Sequence, residues 1–352
     1  MADRSGIGWT DATWNPTKGC SRKSEGCRHC YAEAVSARIA NATQAKLRAV
    51  TERGGDERDR IRALSPTESA YRIVVRWQRG GDRPADDDDV ALPRWNGRVV
   101  TDLSVYEKPI HWKRPRLIFV DSMSDLHHEA LGPDHLDIIY GVMAIADRHR
   151  FQILTKRPDL ARLYLSAPER PQKILDALRK LQASLRRLEE PIPELDAALE
   201  RWGETLPWPL SNVIQGTSVE NQAQADGRIL ELLRCPAAAR FVSYEPALGP
   251  VDYEPWVWPQ CILTREEHDA NCEGGLFCEE RLVDWIIVGG ESGPQHRPME
   301  IAWVEAVADV CGASDTALYV KQDAGARPGQ QGRIPERLWA RKEYPPILRP
   351  SV

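Results

Sequence analysis

Three cysteines stand close together near the start of the sequence, Cys20, Cys27 and Cys30, within WNPTKGCSRKSEGCRHCYAE at 14–33. Their spacing is C-x6-C-x2-C. Two residues between Cys27 and Cys30 let both thiolates turn toward one metal or one cluster edge. Gly19 and Gly26 each precede a cysteine and free the backbone to curl around a bulky inorganic centre. Arg22, Lys23 and Arg28 lie nearby, placed to offset thiolate charge or to bind an anion. On spacing alone two centres compete. A structural zinc needs a fourth protein ligand, either a distant residue or His29, which is awkwardly placed between two of the three cysteines. A cubane iron–sulfur cluster needs only the three thiolates and keeps one iron open. A looser group, Cys261, Cys272 and Cys278, fits no standard finger and is expected to be loop and core cysteines, with an auxiliary metal site as the alternative. Cys235 and Cys311 sit beside apolar residues and are expected to be buried.

The elements that must position such a loop come from the hydrophobic pattern. Six runs begin with β-branched or aromatic residues and end in polar ones: 116–125, 151–158, 212–220, 239–246, 283–292 and 317–325. Segments of helical period separate them, at 136–150, 171–190, 225–235 and 301–311. Strands alternating with helices predict a parallel sheet. Six strands after the cysteine segment favour a partial (β/α)6 barrel, with a doubly wound sheet as the alternative. In such folds sites form at the carboxyl ends of the strands. The strand-end residues include Asp121, Ser122, Asp125, Thr217, Glu220, Glu245, Glu291 and Lys321. Read one at a time they are helix caps and solvated loop starts. Repeated over six strands they predict a shared polar cavity.

The chain has 352 residues, 42% hydrophobic and 28% charged, enough for one large barrel or two ordinary domains. A formal net charge of -5 is not that of a strongly basic nucleic-acid binder. The first residues contain no apolar run, and no stretch approaches the roughly 18 apolar residues of a membrane span, so a cytoplasmic protein without disulfides is expected. One barrel domain is expected over 1–325, with insertions at 40–100 and 251–282. A Pro-rich tail at 326–352 is expected to pack on the surface.

With these motifs together, the chain resembles a large bacteriophage-associated family, also found in bacterial genomes, that is related to radical S-adenosylmethionine enzymes. The resemblance rests on the cysteine segment and on FQILTKRP, NVIQGTSVEN, RFVSYEPALGP, WIIVGGESGPQHRPM and YVKQ. It implies a partial parallel barrel of radical-SAM type carrying a 4Fe–4S cluster on Cys20, Cys27 and Cys30. The amino and carboxylate groups of S-adenosylmethionine would bind the fourth iron. Reductive cleavage, fed by an unidentified electron donor, would give a 5′-deoxyadenosyl radical. The superfamily's usual spacing is C-x3-C-x2-C, and its usual aromatic residue before the third cysteine is here His29. Tyr31, which follows that cysteine, would cover the cluster or touch adenine. Asp121, Ser122 and Asp125 would bind the cofactor's amino group, and Thr217 and Glu220 its ribose. Gly289 and Gly290 would let a loop approach the adenosyl group, and Glu245 and Lys321 are the candidate catalytic residues. Lys156, Arg157, Arg297 and Lys321 would form a positive rim for a nucleotide or nucleic-acid substrate, with ion pairing across the mouth as the alternative. Trp9, Trp14, Trp256 and Trp258 are candidates for base stacking or core packing. The competing functions are a nucleic-acid or partner-binding protein with a structural metal centre, and a hydrolase built on the strand-end carboxylates.

Overall fold

The computed structural model describes residues 5–36, 97–258 and 280–348, with isolated positions 49, 52–54, 95 and 260–261. Cys272 and Cys278 of the second cysteine group and most of both expected insertions lie outside the described residues.

Seven strands form one sheet: β1 (Ala12–Trp14), β2 (Leu117–Val120), β3 (Arg150–Thr155), β4 (Val213–Val219), β5 (Arg240–Tyr244), β6 (Trp285–Gly289) and β7 (Ala317–Gln322). They neighbour one another in sequence order, and every pair is parallel. Parallel neighbours need long crossovers, and helices supply most of them. The helix α1 (Pro133–Ile145) links β2 to β3. Three helices, α2 (Pro158–Leu165), α3 (Arg170–Arg187) and α4 (Pro193–Trp202), link β3 to β4. Next come α5 (Gln222–Arg234) before β5 and α6 (Ile301–Ser314) before β7. Prolines at the first turns of α1 to α4 give up an N–H that would be unpaired there anyway.

The sheet curls. Trp9, just before β1, packs its ring within 4.8 Å of Phe119 on β2, 6.2 Å of Phe241 on β5 and 6.1 Å of Trp285 on β6. A flat sheet could not bring three such separated strands to one side chain. Phe119, Ile214, Phe241, Ile287 and Tyr319 join them in a buried concave core. Two further apolar clusters fill the space between the convex face and the helices. The result is an α/β half-barrel with helices outside, in keeping with the expected partial barrel. No helix among the described residues is long and apolar enough to cross a membrane.

Two features depart from the expectation. A seventh strand, β1, precedes the cysteines, so the cysteine segment leaves the carboxyl end of a sheet strand. The tail also does more than pack on the surface. Tyr344 stacks 5.4 Å from Trp285, Leu348 is buried in the concave core, and Arg150 Nε donates to the Ile347 carbonyl at 3.1 Å. Trp285 and Arg150 begin their strands, so the tail closes the amino end of the half-barrel. The cavity must therefore open at the other end.

Candidate active site

The cysteine loop crosses the carboxyl mouth and is tied to the strand ends along its length. Asp121, at a left-handed φ of 59° just after β2, takes hydrogen bonds from the backbone N–H and the hydroxyl of Thr17. Gly19 pairs with Ser124, whose hydroxyl donates to the Gly19 carbonyl at 2.6 Å. Arg157 donates from Nη1 to Asp125 and from Nη2 to Ser21 Oγ, which also meets His128 Nε2 at 2.8 Å. Glu220, at the end of β4, accepts from Ser24 Oγ at 2.8 Å, from Lys156 Nζ and from Arg228 Nη1. Glu291, after β6, meets His29 Nδ1 at 2.9 Å and holds Arg297, which in turn donates to the Glu25 carbonyl. Tyr31 closes the sequence by donating to the Ser122 carbonyl at 2.7 Å.

Two glycines serve this docking in different ways. Gly19 has a φ of 93°, which side chains other than glycine rarely adopt. Gly26 is needed for closeness: a Cβ there would lie 2.3 Å from Glu220 Oε1.

Charge balance explains why these groups tolerate burial. Burial works to raise the Glu220 carboxyl, but Lys156 and Arg228 outweigh it and hold it below its ordinary range. Glu291 is likewise held down against burial by Arg297 and His29. Asp121 has no such cation in contact among the described residues. Burial pushes it up to about 7, against the Thr17 hydrogen bonds.

Beneath the loop lies a cavity of about 190 Å³. Trp9, Phe119 and Leu154 line it from the concave core, and Gly26, His29, Cys30 and Tyr31 from the loop. Polar lining comes from Ser218, Ser243, Glu245 and Lys321. Lys321 Nζ donates to Glu245 Oε2 at 2.9 Å, and Ser243 Oγ approaches the same oxygen at 3.4 Å. Glu245 Oε1 is buried and has no hydrogen-bond partner among the described residues. A buried carboxylate oxygen without a donor is costly and calls for one from beyond the described residues.

The expected site residues divide accordingly. Cys30, Tyr31, Glu245, Gly290 and Lys321 line the cavity. Asp121, Ser122, Asp125, Thr217 and Glu220 do not face it as cofactor ligands would. Ser122 bonds Asn15, Thr217 bonds the Thr155 carbonyl, and Asp125 is filled by Thr155, Lys156 and Arg157. Gly289 lies beside the cavity, where a Cβ would come within 2.9 Å of Glu245 Oε1. The four cations of the expected rim are each ion-paired: Lys156 to Glu220, Arg157 to Asp125 and Glu129, Arg297 to Glu291, and Lys321 to Glu245. Of the tryptophans, Trp9 reaches the cavity, whereas Trp14 is buried with its indole N–H on the Val105 carbonyl. Thr17, Ser24, Arg228 and His128 were not foreseen, because nothing in their spacing links them to the loop or strand they meet.

Cys20, Cys27 and Cys30 are all free thiols, each partly exposed. Burial pushes the thiols of Cys20 and Cys30 up, and each is raised further by Cys27 nearby. The Lys23 backbone N–H points at Cys27 Sγ, 3.5 Å away. Among the described residues no group of three His, Cys, Asp or Glu side chains has the arrangement of a metal-ion site. The donor set itself is three soft thiols with His29 turned to Glu291. That composition suits a cluster shared over several irons better than a zinc ion needing four converging donors.

Fold and site thus define a parallel α/β half-barrel whose carboxyl mouth is covered by a three-cysteine loop. The chain belongs to the family described as protein of unknown function DUF5131, whose model it matches over residues 4–338. No curated protein and no solved structure matches it.

Proposed function

We propose that this protein is a radical S-adenosylmethionine enzyme, with Cys20, Cys27 and Cys30 holding a 4Fe–4S cluster. The observation that carries the reading is the loop itself: three thiols on one segment leaving β1, fixed across the carboxyl mouth, with Cys30 lining the cavity. Three cysteine ligands leave one iron for an exchangeable ligand. When bound there, S-adenosylmethionine would be cleaved by one-electron reduction to methionine and a 5′-deoxyadenosyl radical. The electron comes from a donor yet to be identified.

The chain's own residues have plain tasks in this reading. The strand-end carboxylates Asp121, Glu220 and Glu291 hold the loop, and so the thiols, in register with the barrel. The Lys23 N–H lowers charge on the Cys27 sulfur. The aromatic floor keeps bulk water from the reacting centre. Glu245 Oε1 accepts a hydrogen bond from the substrate, and Lys321, donating to Oε2, holds that carboxylate in place.

The test is anaerobic reconstitution with iron and sulfide. One cubane cluster per chain is expected, and S-adenosylmethionine should perturb the paramagnetic resonance spectrum of its reduced form. Dithionite should then release 5′-deoxyadenosine. Cys27→Ala should lose both iron and cleavage, while Cys235→Ala, in the apolar core under α2, should lose neither. Stoichiometric zinc without iron or sulfide uptake would defeat the reading. A cluster whose spectrum ignores S-adenosylmethionine would leave the iron centre and remove the enzyme class.

A further inference from the structure

We infer that the cavity beneath the cysteine loop receives a single uncharged nucleobase or nucleoside, with a ring N–H donating to Glu245 Oε1. This deepens the proposed function by naming a substrate class and rests on it only for the reaction, not for the binding. Four observations converge. Glu245 Oε1 is a buried acceptor without a donor among the described residues. Beside it, Lys321 Nζ spends one of its three N–H groups on Glu245 Oε2. The pair therefore presents an acceptor next to a donor, the pattern that base edges complement. Trp9, Phe119 and Leu154 give that ring an apolar floor, with Tyr31 lining the cavity from the loop side. Aromatic surface of this kind takes a base by its face.

Size and charge narrow the class. The cavity's 190 Å³ falls below the roughly 300–1,000 Å³ of sites for drug-sized ligands. It takes one ring system rather than a peptide or a dinucleotide. The four cations around the mouth are each matched by a carboxylate, so among them the rim offers no surplus charge for a phosphate. An uncharged base or nucleoside therefore fits better than a nucleotide, and the expected phosphate clamp is replaced by ring recognition.

The experiment uses the full chain as purified, with no cluster, so its failure is separable from failure of the radical reading. Guanosine, uridine, adenosine and cytidine are titrated calorimetrically, each beside its 5′-monophosphate and S-adenosylmethionine. Saturable binding of guanosine or uridine, whose bases carry a ring N–H beside a carbonyl, is expected, with the monophosphate no tighter; binding of adenosine or cytidine alone, which have no ring N–H, would overturn the inference. Glu245→Gln should weaken that nucleoside at least tenfold, as should methylation of its ring N–H. Gly289→Ala, which presses a methyl group on Oε1 without altering the carboxylate, should also weaken it while circular dichroism and melting stay those of the folded protein. The inference is overturned if no nucleoside binds the folded protein at millimolar concentration. It is overturned if the Glu245 and Gly289 variants bind as tightly as the parent, if the monophosphate binds more tightly, or if only S-adenosylmethionine binds.

Discussion

Gly26→Ala should unlatch the cysteine loop without disturbing the barrel. The new Cβ would lie 2.3 Å from Glu220 Oε1, 2.4 Å from Cγ and 2.6 Å from Cδ, where ordinary contact begins at 3.4 Å. Something must yield by about 1 Å. Glu220 is poorly placed to do so, because Lys156 and Arg228 hold it on both oxygens and it is 1% exposed. The loop is the softer partner, and as it lifts, the Ser24–Glu220 hydrogen bond breaks. Overpacking of this kind costs about 1–3 kcal/mol. At 1.4 kcal/mol per tenfold, the loop's opening equilibrium should rise by about 5- to 150-fold. Amide hydrogen exchange read by mass spectrometry reports it directly. The Cys27 and Arg28 amides, which donate within the loop to Ser24 and Glu25, should exchange faster by that factor, and those of β3 to β5 should not change. Unchanged exchange at Cys27 and Arg28 would refute the claim that Glu220 is a latch, whatever happens to iron binding.

Asp121 gives a pH signature. Its folded-state pKa of about 7 lies above the unfolded value, so its contribution is fully present below about pH 4 and is lost as pH rises through 7. Denaturant titrations should therefore find parent stability falling over this window relative to Asp121→Asn; parallel curves would show that Asp121 is ionised in the folded protein. Leu348→Ala tests the tail. Leu348 is 2% exposed in the concave core, and such truncations cost about 2–5 kcal/mol, so the denaturation midpoint should drop clearly. A change inside experimental error would mean that the tail only rests on the surface.

Much of the fold was legible because β2 to β7 are each a β-branched or aromatic run of strand length, buried on both faces as parallel strands are. β1 was not. It has three residues in a polar context, and its strand character comes from pairing with β2 through Ala12↔Ile118, Thr13↔Phe119 and Trp14↔Val120. The candidate site was half legible. Glu245 and Lys321, singled out by their position at strand carboxyl ends, both line the cavity. The same rule pointed Asp121, Asp125 and Glu220 toward a cofactor, because sequence alone does not say which backbone crosses the mouth. The loop's own small residues held a clue. Gly26 was read as a hinge for a metal centre, but its φ is not in the left-handed region, and closeness to Glu220 is its physical requirement.

The division among the carboxylates carries the functional argument. Asp121, Glu220 and Glu291 all end in contacts with residues 17–29, the segment that bears the cysteines. Burying an ion pair seldom adds net stability, because desolvation offsets most of the attraction. Two buried ion-paired carboxylates, Glu220 and Glu291, and Asp121 buried without a cation in contact therefore make poor sense as devices for holding the fold. They make sense if the loop must be held in one place, as a soft metal centre with fixed distances to a cavity would require. Glu245 is the exception that completes the pattern. It is built like Glu220 and Glu291, at a strand end and matched by a cation, yet among the described residues no hydrogen bond ties it to the loop and one of its oxygens is unpartnered. The ring fixes the loop above the cavity, and Glu245 is left for whatever enters beneath it.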